Sequence, residues 1–301
     1  MKVLVTGATG FVGREVVRQL AAAGHAVLAL VRKGSEDKLP PSLPIEIRHG
    51  DVTEAARLAD ALDGCDAVIH LVGIIREFPG RRITYQRLHV EANGNLLAAA
   101  KQQGVQRLVQ MSANGTGPEA KTGYHRTKWQ AEQAVRDSDL DWTIFRPSLI
   151  FGRGGEFVEM LAGMIRSLPL VPVIGDGRYR MQPVAVEQVA ESLVKSLQMP
   201  QTISQTYLLG GGGDYSYNEI LDLTGATIGV QPVRKIHQPV LLMKPVVQLM
   251  QNASCFPITS DQLTMLLAGN VCDPSVWAET FGIVPLSYAE GIGACFSEQH
   301  A

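Results

Sequence analysis

Residues 5–13 read VTGATGFVG and place Gly7, Gly10 and Gly13 at a strict three-residue spacing. Five strand-forming residues, KVLVT (2–6), precede them, and a helical run, VGREVVRQLAAAG (12–24), follows and ends at Gly24. A strand, a glycine turn and a helix in that order leave unpaired backbone N–H groups at the helix N-terminus, where the helix dipole also favours an anion. Glycine at 7 permits the tight turn, at 10 lets a phosphate approach the backbone, and at 13 lets helix and strand pack closely. The pattern predicts a pyrophosphate cradle with Gly7, Thr9, Gly10, Phe11, Val12 and Gly13 as candidate contacts.

The first half of the chain continues in the same rhythm. AVLALV (26–31), IEIRHGD (45–51), DAVIHLVGI (66–74), RLVQMS (107–112) and WTIFRP (142–147) read as strands, and helices are predicted at 86–103 and 124–137. Short apolar strands separated by helical periods imply βαβ crossovers and a parallel sheet with helices on both faces. The expected fold class is α/β, a Rossmann-type doubly wound parallel sheet with a small, mainly helical C-terminal cap. After residue 150 glycine and proline punctuate shorter segments, with helices expected at 156–166, 187–197, 216–228, 259–268 and 274–281. The expected domains are a dinucleotide-binding region over 1–152 and a substrate or cap region over 153–301, some of whose segments return to the sheet.

Composition excludes several classes. Of 301 residues, 46% are hydrophobic and 19% charged, the balance of a globular chain rather than a disordered one. A net charge of −2 with no basic block provides no footprint for nucleic acid. Cys65, Cys255, Cys272 and Cys295 are scattered without a CxxC pair and the histidines are dispersed, so no metal site is expected. The same cysteine usage suits reduced thiols in a cytoplasmic protein. Met1 leads straight into the first strand, so no signal segment is expected, and no apolar run approaches the roughly 18 residues of a membrane span. PVLLMKPVVQLM (239–250) is broken by Lys244, Pro245 and Gln248; it is expected to pack on the cap, with a partner- or lipid-facing helix as the alternative. GGGGD (210–214) lacks the Lys-Ser/Thr of a phosphate loop and reads as a connection.

TGATGFVG resembles the TGxxGxxG turn of the short-chain dehydrogenase/reductase superfamily, in its extended and atypical, epimerase/dehydratase-like branches. The resemblance runs along nearly the whole chain through HGDV (49–52), LVG (71–73), YHRTK (124–128), FRPSLIFG (145–152) and GDGRYRMQPVAVEQVA (175–190). LVGI, YHRTK, FRPSLIFGRGGEF and FPITSDQLTMLLAGN are similar to bacterial relatives of the NADPH-binding accessory subunit of respiratory complex I. This resemblance implies that Asp51 and Val52 lie by the adenine and that backbone at Leu71, Val72 and Gly73 lines the cofactor. It implies further that Pro147 flanks the nicotinamide, that Tyr124 is the general acid/base, and that Lys128 lowers its pKa and holds the nicotinamide ribose. Tyr124 and Lys128 share a helix face at i,i+4. Bringing a tyrosine from about 10 to about 7 takes about 4 kcal/mol of preferential phenolate stabilisation, which an adjacent ammonium and the oxidised nicotinamide would jointly supply.

Two departures from the family pattern stand out. In MSANG, Ser112 belongs to the strand end and Asn114 is the candidate hydrogen-bond donor where extended members carry Ser or Thr. The pattern NVxGTxNLL appears as HVEANGNLL, with His89, read as a core or surface residue, in place of Asn, and Asn95 matching the later one. At the end of the second strand Arg32 and Lys33 stand where NAD-specific sites usually carry a carboxylate. A guanidinium on a 2′-phosphate contributes roughly 1.5–3 kcal/mol, favouring NADP(H) by roughly ten- to a hundredfold, with NAD(H) possible. Arg178 and Arg180 read as surface residues, with an anionic substrate group as their alternative partner. The expected function is an NADP(H)-binding oxidoreductase or epimerase-like enzyme moving hydride between the nicotinamide and a small carbonyl, quinone or sugar nucleotide. The alternative is a non-catalytic NADPH-binding structural or redox-sensing protein.

Overall fold

Hydrophobic runs too short for helices and apolar on both faces pair as neighbouring parallel strands. β1 (Lys2–Thr6), β2 (Ala26–Val31), β3 (Ile45–His49), β4 (Ala67–His70), β5 (Arg107–Met111) and β6 (Asp141–Pro147) lie in the spatial order β3-β2-β1-β4-β5-β6. Every pair among them is parallel, and the strand Gln205–Leu209 extends the sheet beyond β6. This is the doubly wound order, whose reversal at β1 and β4 opens a crevice at the carboxyl ends of those strands. The computed structural model describes residues 1–251 and 258–297; Cys255 and the first two residues of FPITSDQLTMLLAGN lie outside them.

The crossovers are α1 (Phe11–Ala22), α2 (Ala55–Leu62), α3 (Ala92–Gln103) and α4 (Gly123–Arg136), with a π-helical turn, Gln86–Glu91, leading into α3. Leu58 and Leu62 of α2 and Leu96 and Ala100 of α3 are buried in one core with Leu4, Val68 and Leu108 of the sheet. The chain divides into two compact units, Met1–Pro147 with Glu187–Tyr207, and Ser148–Val186 with the chain from Leu208 onward. The later helices are α5 (Glu156–Ser167), α6 (Val186–Ser196), α7 (Tyr217–Thr227), α8 (Val240–Met250), α9 (Ser260–Ala268), α10 (Ser275–Phe281) and α11 (Tyr288–Phe296). The second unit has its own core of Val158, Leu161, Ile220, Tyr288 and Ile292. Three of its helices start on capping boxes, Ser216 with Glu219, Thr259 with Gln262 and Ser287 with Glu290. α8 packs on α9 of its own unit through buried Val247, while half-buried Val240 lies by Gly175 and most of its other apolar side chains are exposed. No helix among the described residues is long and apolar enough to cross a membrane.

A buried arginine fastens residues 196–202 to the sheet. Arg107 donates to Asp141 O at 2.6 Å, Thr143 Oγ1 at 2.7 Å, Ser196 O at 2.7 Å and Thr202 Oγ1 at 3.2 Å. Its burial lowers the guanidinium pKa from 12.5 to about 10, a cost the four acceptors offset. Arg107→Leu strands those acceptors in the interior. Urea unfolding of this variant should show a stability loss of about 2–4 kcal/mol.

Candidate dinucleotide and catalytic site

β1 enters its turn at Gly7, whose φ of 75° favours glycine, and Gly10 N–H donates to Gly7 O at 3.0 Å to close it. α1 begins with Gly10 as N-cap, no side-chain cap and no acid in its first turn. The protein therefore leaves the partial positive charge of that terminus uncompensated. A Cβ on Gly13 would collide with Gly7 O and the Ala8 backbone. Gly10 is exposed, Thr9 and Phe11 half-buried, and Val12 buried, so Val12 offers a ligand its backbone alone.

The HGDV turn follows β3. Asp51 Oδ1 accepts from Thr53 N–H at 2.9 Å and Thr53 Oγ1–H at 2.8 Å, and Asn95 Nδ2 donates to the carbonyl of buried Val52 at 3.2 Å. Arg32 and Lys33 are exposed just beyond β2, and among the described residues no carboxylate pairs with either. The first acid after them, Glu36, instead faces His49 at 3.4 Å. Beyond β4, Leu71 N–H donates to Thr6 O at 3.1 Å, and the chain runs through half-buried Val72 to exposed Gly73. A Cβ on Gly73 would lie 2.9 Å from Lys128 Nζ. The turn, the exit of β4 and the catalytic-candidate helix thus meet.

α4 is capped by Thr122, which accepts from His125 N–H at 3.3 Å. Lys128 is buried, its amine donating to Met111 O at 3.2 Å. Burial lowers its pKa from 10.5 to about 8, while the Glu132 carboxylate pulls the other way. Tyr124 is half-buried, and burial raises its pKa to about 12. The two side chains share a face, yet burial is the one cause acting on Tyr124; the expected lowering by Lys128 is absent here. The ammonium faces Met111 O and Gly73 instead.

His89 carries a role that the sequence reading missed. It is buried; Ile74 N–H donates to its Nε2 at 3.1 Å, and its Nδ1 meets Thr127 Oγ1 at 2.9 Å. Its ring stacks on Tyr85 at 5.4 Å and meets Tyr124 edge-on at 5.5 Å. Burial, then the Lys128 charge, push it down to about 2, so it stays neutral. His70, 2.6 Å from Thr6 Oγ1, is pushed to about 3 for the same two reasons. The one advance sign of His89 is its departure from the Asn of the family pattern.

Asn114 stands beside Pro147: its N–H donates to Pro147 O at 2.8 Å, and its Oδ1 accepts from Gly115 N–H at 3.0 Å. The Ser112 hydroxyl is buried and has no hydrogen-bond partner among the described residues. Arg180, in the second unit, is held by Asp214 at 2.8 Å and Glu219 at 3.0 Å, whereas Arg178 is exposed.

A doubly wound sheet, a glycine turn opening onto an uncapped helix and a Tyr-x-x-x-Lys helix against the exit of β4 define a dinucleotide-binding protein. Residues 7–200 match the NAD(P)H-binding family, and the chain belongs to it. Subunit 9 of the mitochondrial NADH dehydrogenase [ubiquinone] 1 alpha subcomplex of Arabidopsis thaliana is 29% identical over 271 residues, 86% of this chain and 66% of that protein. The chain thus spans just under two thirds of that relative. A ceramide reductase of Caulobacter vibrioides is 28% identical over 76% of this chain and 71% of its own length. The UDP-glucose 4-epimerase of Thermus thermophilus, solved with NAD, superposes with a TM-score of 0.75 at 21% identity, over 98% of this chain and 97% of that one. That likeness is one of fold.

The buried ammonium makes a stability signature. A lysine whose folded pKa is about 8 against 10.5 unfolded destabilises the fold below pH 8, and the cost fades as pH rises towards 10.5. At pH 7 the cost is on the order of 3 kcal/mol. Lys128→Met should therefore raise the Tm of the cofactor-free protein at pH 7, and thermal scans should show the gain shrinking between pH 8 and pH 10.

Proposed function

We propose that this protein is an NADP(H)-dependent oxidoreductase that reduces a small carbonyl or quinone, with Tyr124 as its proton donor. The first unit holds the dinucleotide, and residues 153–301 carry the substrate determinants. The cradle fits the group: Gly7 and Gly13 sit where any Cβ would crowd neighbouring backbone, and the α1 terminus offers its N–H groups to a pyrophosphate. Asp51 would lie by the adenine, backbone at Leu71–Gly73 would line the cofactor, and Lys128 would hold the nicotinamide ribose.

The observation that carries the acid role is the place of the Tyr124 phenol, edge-on to His89 and one turn before Lys128 on α4, where burial raises its pKa to about 12. Such a phenol keeps its proton at neutral pH and gives it up only to a stronger base. When bound, the reduced nicotinamide supplies hydride to the carbonyl carbon. Tyr124 Oη–H then donates its proton to the oxygen as negative charge builds there, and water restores the phenol. Asn114 offers its side-chain amide to the same oxygen. The Caulobacter relative, a reductase by name, is consistent with this direction. One observation favours the second reading, a non-catalytic NADPH-binding protein: the Ser112 hydroxyl, the nearest to the Ser or Thr of extended members, is buried.

Arg32 is the proposed 2′-phosphate contact. Arg32→Ala should weaken NADPH binding by roughly ten- to a hundredfold in a fluorescence titration while leaving NADH affinity nearly unchanged. Equal losses for both would remove the phosphate role. Tyr124→Phe should keep NADPH affinity and lower the rate of NADPH oxidation by at least about a hundredfold on whichever carbonyl or quinone of a substrate panel turns over. Full turnover by that variant would refute the catalytic assignment. A wild-type protein that binds NADPH and oxidises it with no member of the panel belongs to the second reading.

A further inference from the structure

α8 turns its apolar residues outward. Leu241 is 82% exposed, Leu249 81% and Leu242 65%, with Val246 and Met250 exposed beside them. On a helix, positions four apart form a row. Leu241, Pro245 and Leu249 make one row, Leu242, Val246 and Met250 the next, and the two rows are adjacent. Together they form a continuous apolar face pointing into solvent. The opposite side, through Val247, anchors the helix to its own unit. Lys244 and Gln248, four apart, edge the apolar face on one flank. A soluble monomer seldom exposes so many neighbouring leucines unless they meet something.

The surrounding charge says what. From residue 223 to residue 260 the sequence contains no Asp or Glu, while Arg234, Lys235 and Lys244 lie within that span. Lys235 is held by Asp222 at 2.5 Å, but Arg234 and Lys244 are exposed. We propose that α8 is a membrane-surface anchor that lays its two leucine rows into the headgroup–acyl boundary of an anionic bilayer, with Lys244 reaching back to lipid phosphates. α8 itself carries Lys244 and no acid, and an apolar face edged by a cation is the composition such a helix requires. Pro245 has no N–H to give the Leu241 carbonyl, which limits insertion to the hydrated boundary rather than the hydrocarbon interior. Charge argues against a second copy of the chain as the occupant, since a two-fold contact on this face would bring its own cations together.

The test uses the full-length chain and needs neither cofactor nor turnover, so its result is independent of the reading of the nucleotide site. Purified protein is sedimented with vesicles of phosphatidylcholine alone and of phosphatidylcholine mixed with phosphatidylglycerol. The wild type should bind the mixed vesicles, with affinity falling as salt rises. L241Q/L242Q/L249Q should lose at least about tenfold in partitioning, and Lys244→Glu about fivefold on the anionic vesicles only. Both variants should keep the wild-type Tm and NADPH affinity, because the altered side chains are exposed. Absence of wild-type binding to the anionic vesicles, or undiminished binding by the triple variant, would overturn the proposal. So would a dimer in sedimentation velocity that the triple variant abolishes, which would give the face to a second copy.

Discussion

The first turn of α1 can sit on the end of β1 only because residue 13 has no side chain, since a Cβ there would meet the Gly7 carbonyl. Gly7 in turn lies so close to the chain leaving β4 that its own Cβ would come within 3.2 Å of the Leu71 carbonyl carbon. Two backbones and a helix terminus are thus drawn together at one place. The pairing of β1 with β4 holds them there through the Thr6–His70 register and the Leu71 N–H bond to Thr6 O. Ligand-binding backbone is positioned in this way by the most rigid part of the molecule, the buried centre of a parallel sheet, and only the exposed glycines at 10 and 73 face outward.

Around that contact the protein keeps a charge where an apolar residue would be more stable. Lys128 is buried, and its field helps hold His70 and His89 neutral. One turn further along α4, Glu132 is wholly buried and answers that charge from a distance, but its carboxylate is already gripped by Arg146 at 2.6 and 2.8 Å and by Arg136 at 3.0 Å. Trp129 and Trp142 lie under the guanidinium groups of Arg146 and Arg136. The carboxylate is therefore fixed by partners on two elements and is not free to swing to the amine. Lys128, its pKa lowered to about 8, points at Met111 O and Gly73. Buried, strongly shifted groups in a crevice are enriched at functional sites.

The parts of this molecule that can be read from sequence are those with a local cause. KVLVT and AVLALV are apolar at nearly every position because both faces of the sheet are covered, and the glycine spacing is imposed by contacts within one strand–turn–helix unit. Ala55–Leu62 escapes such reading because it is short and alanine-rich, with Leu58 and Leu62 as its main anchors. Gln205–Leu209 escapes it for a different reason. Its place beside β6 is set by pairing with a strand distant in sequence, which no local pattern marks. In the site, Tyr124 and Lys128 are legible because they sit i,i+4 on one helix. What that spacing cannot reveal is the amine's direction, which burial and the β5 carbonyl decide.

His89 is the case where distance in sequence hides function most fully, because Thr127 lies 38 positions away. The network assigns its tautomer: Nε2 accepts from Ile74 N–H, so Nδ1 carries the proton and donates it to Thr127 Oγ1, whose hydroxyl donates to Gly123 O at 2.9 Å. Each bond runs in one direction and the chain ends on a backbone carbonyl, so it has no exit for a proton. With its pKa near 2, the ring takes up no second proton at neutral pH. The ring instead braces the backbone beyond Gly73 against the first turn of α4 and packs edge-on to Tyr124. An asparagine amide at the same position is shorter and has no face to stack on Tyr85. His89 and its stacking on Tyr85 fall at the π-helical turn Gln86–Glu91 that leads into α3. His89, the residue that departs from the family pattern, thus braces the Tyr124 ring and passes on no proton of its own.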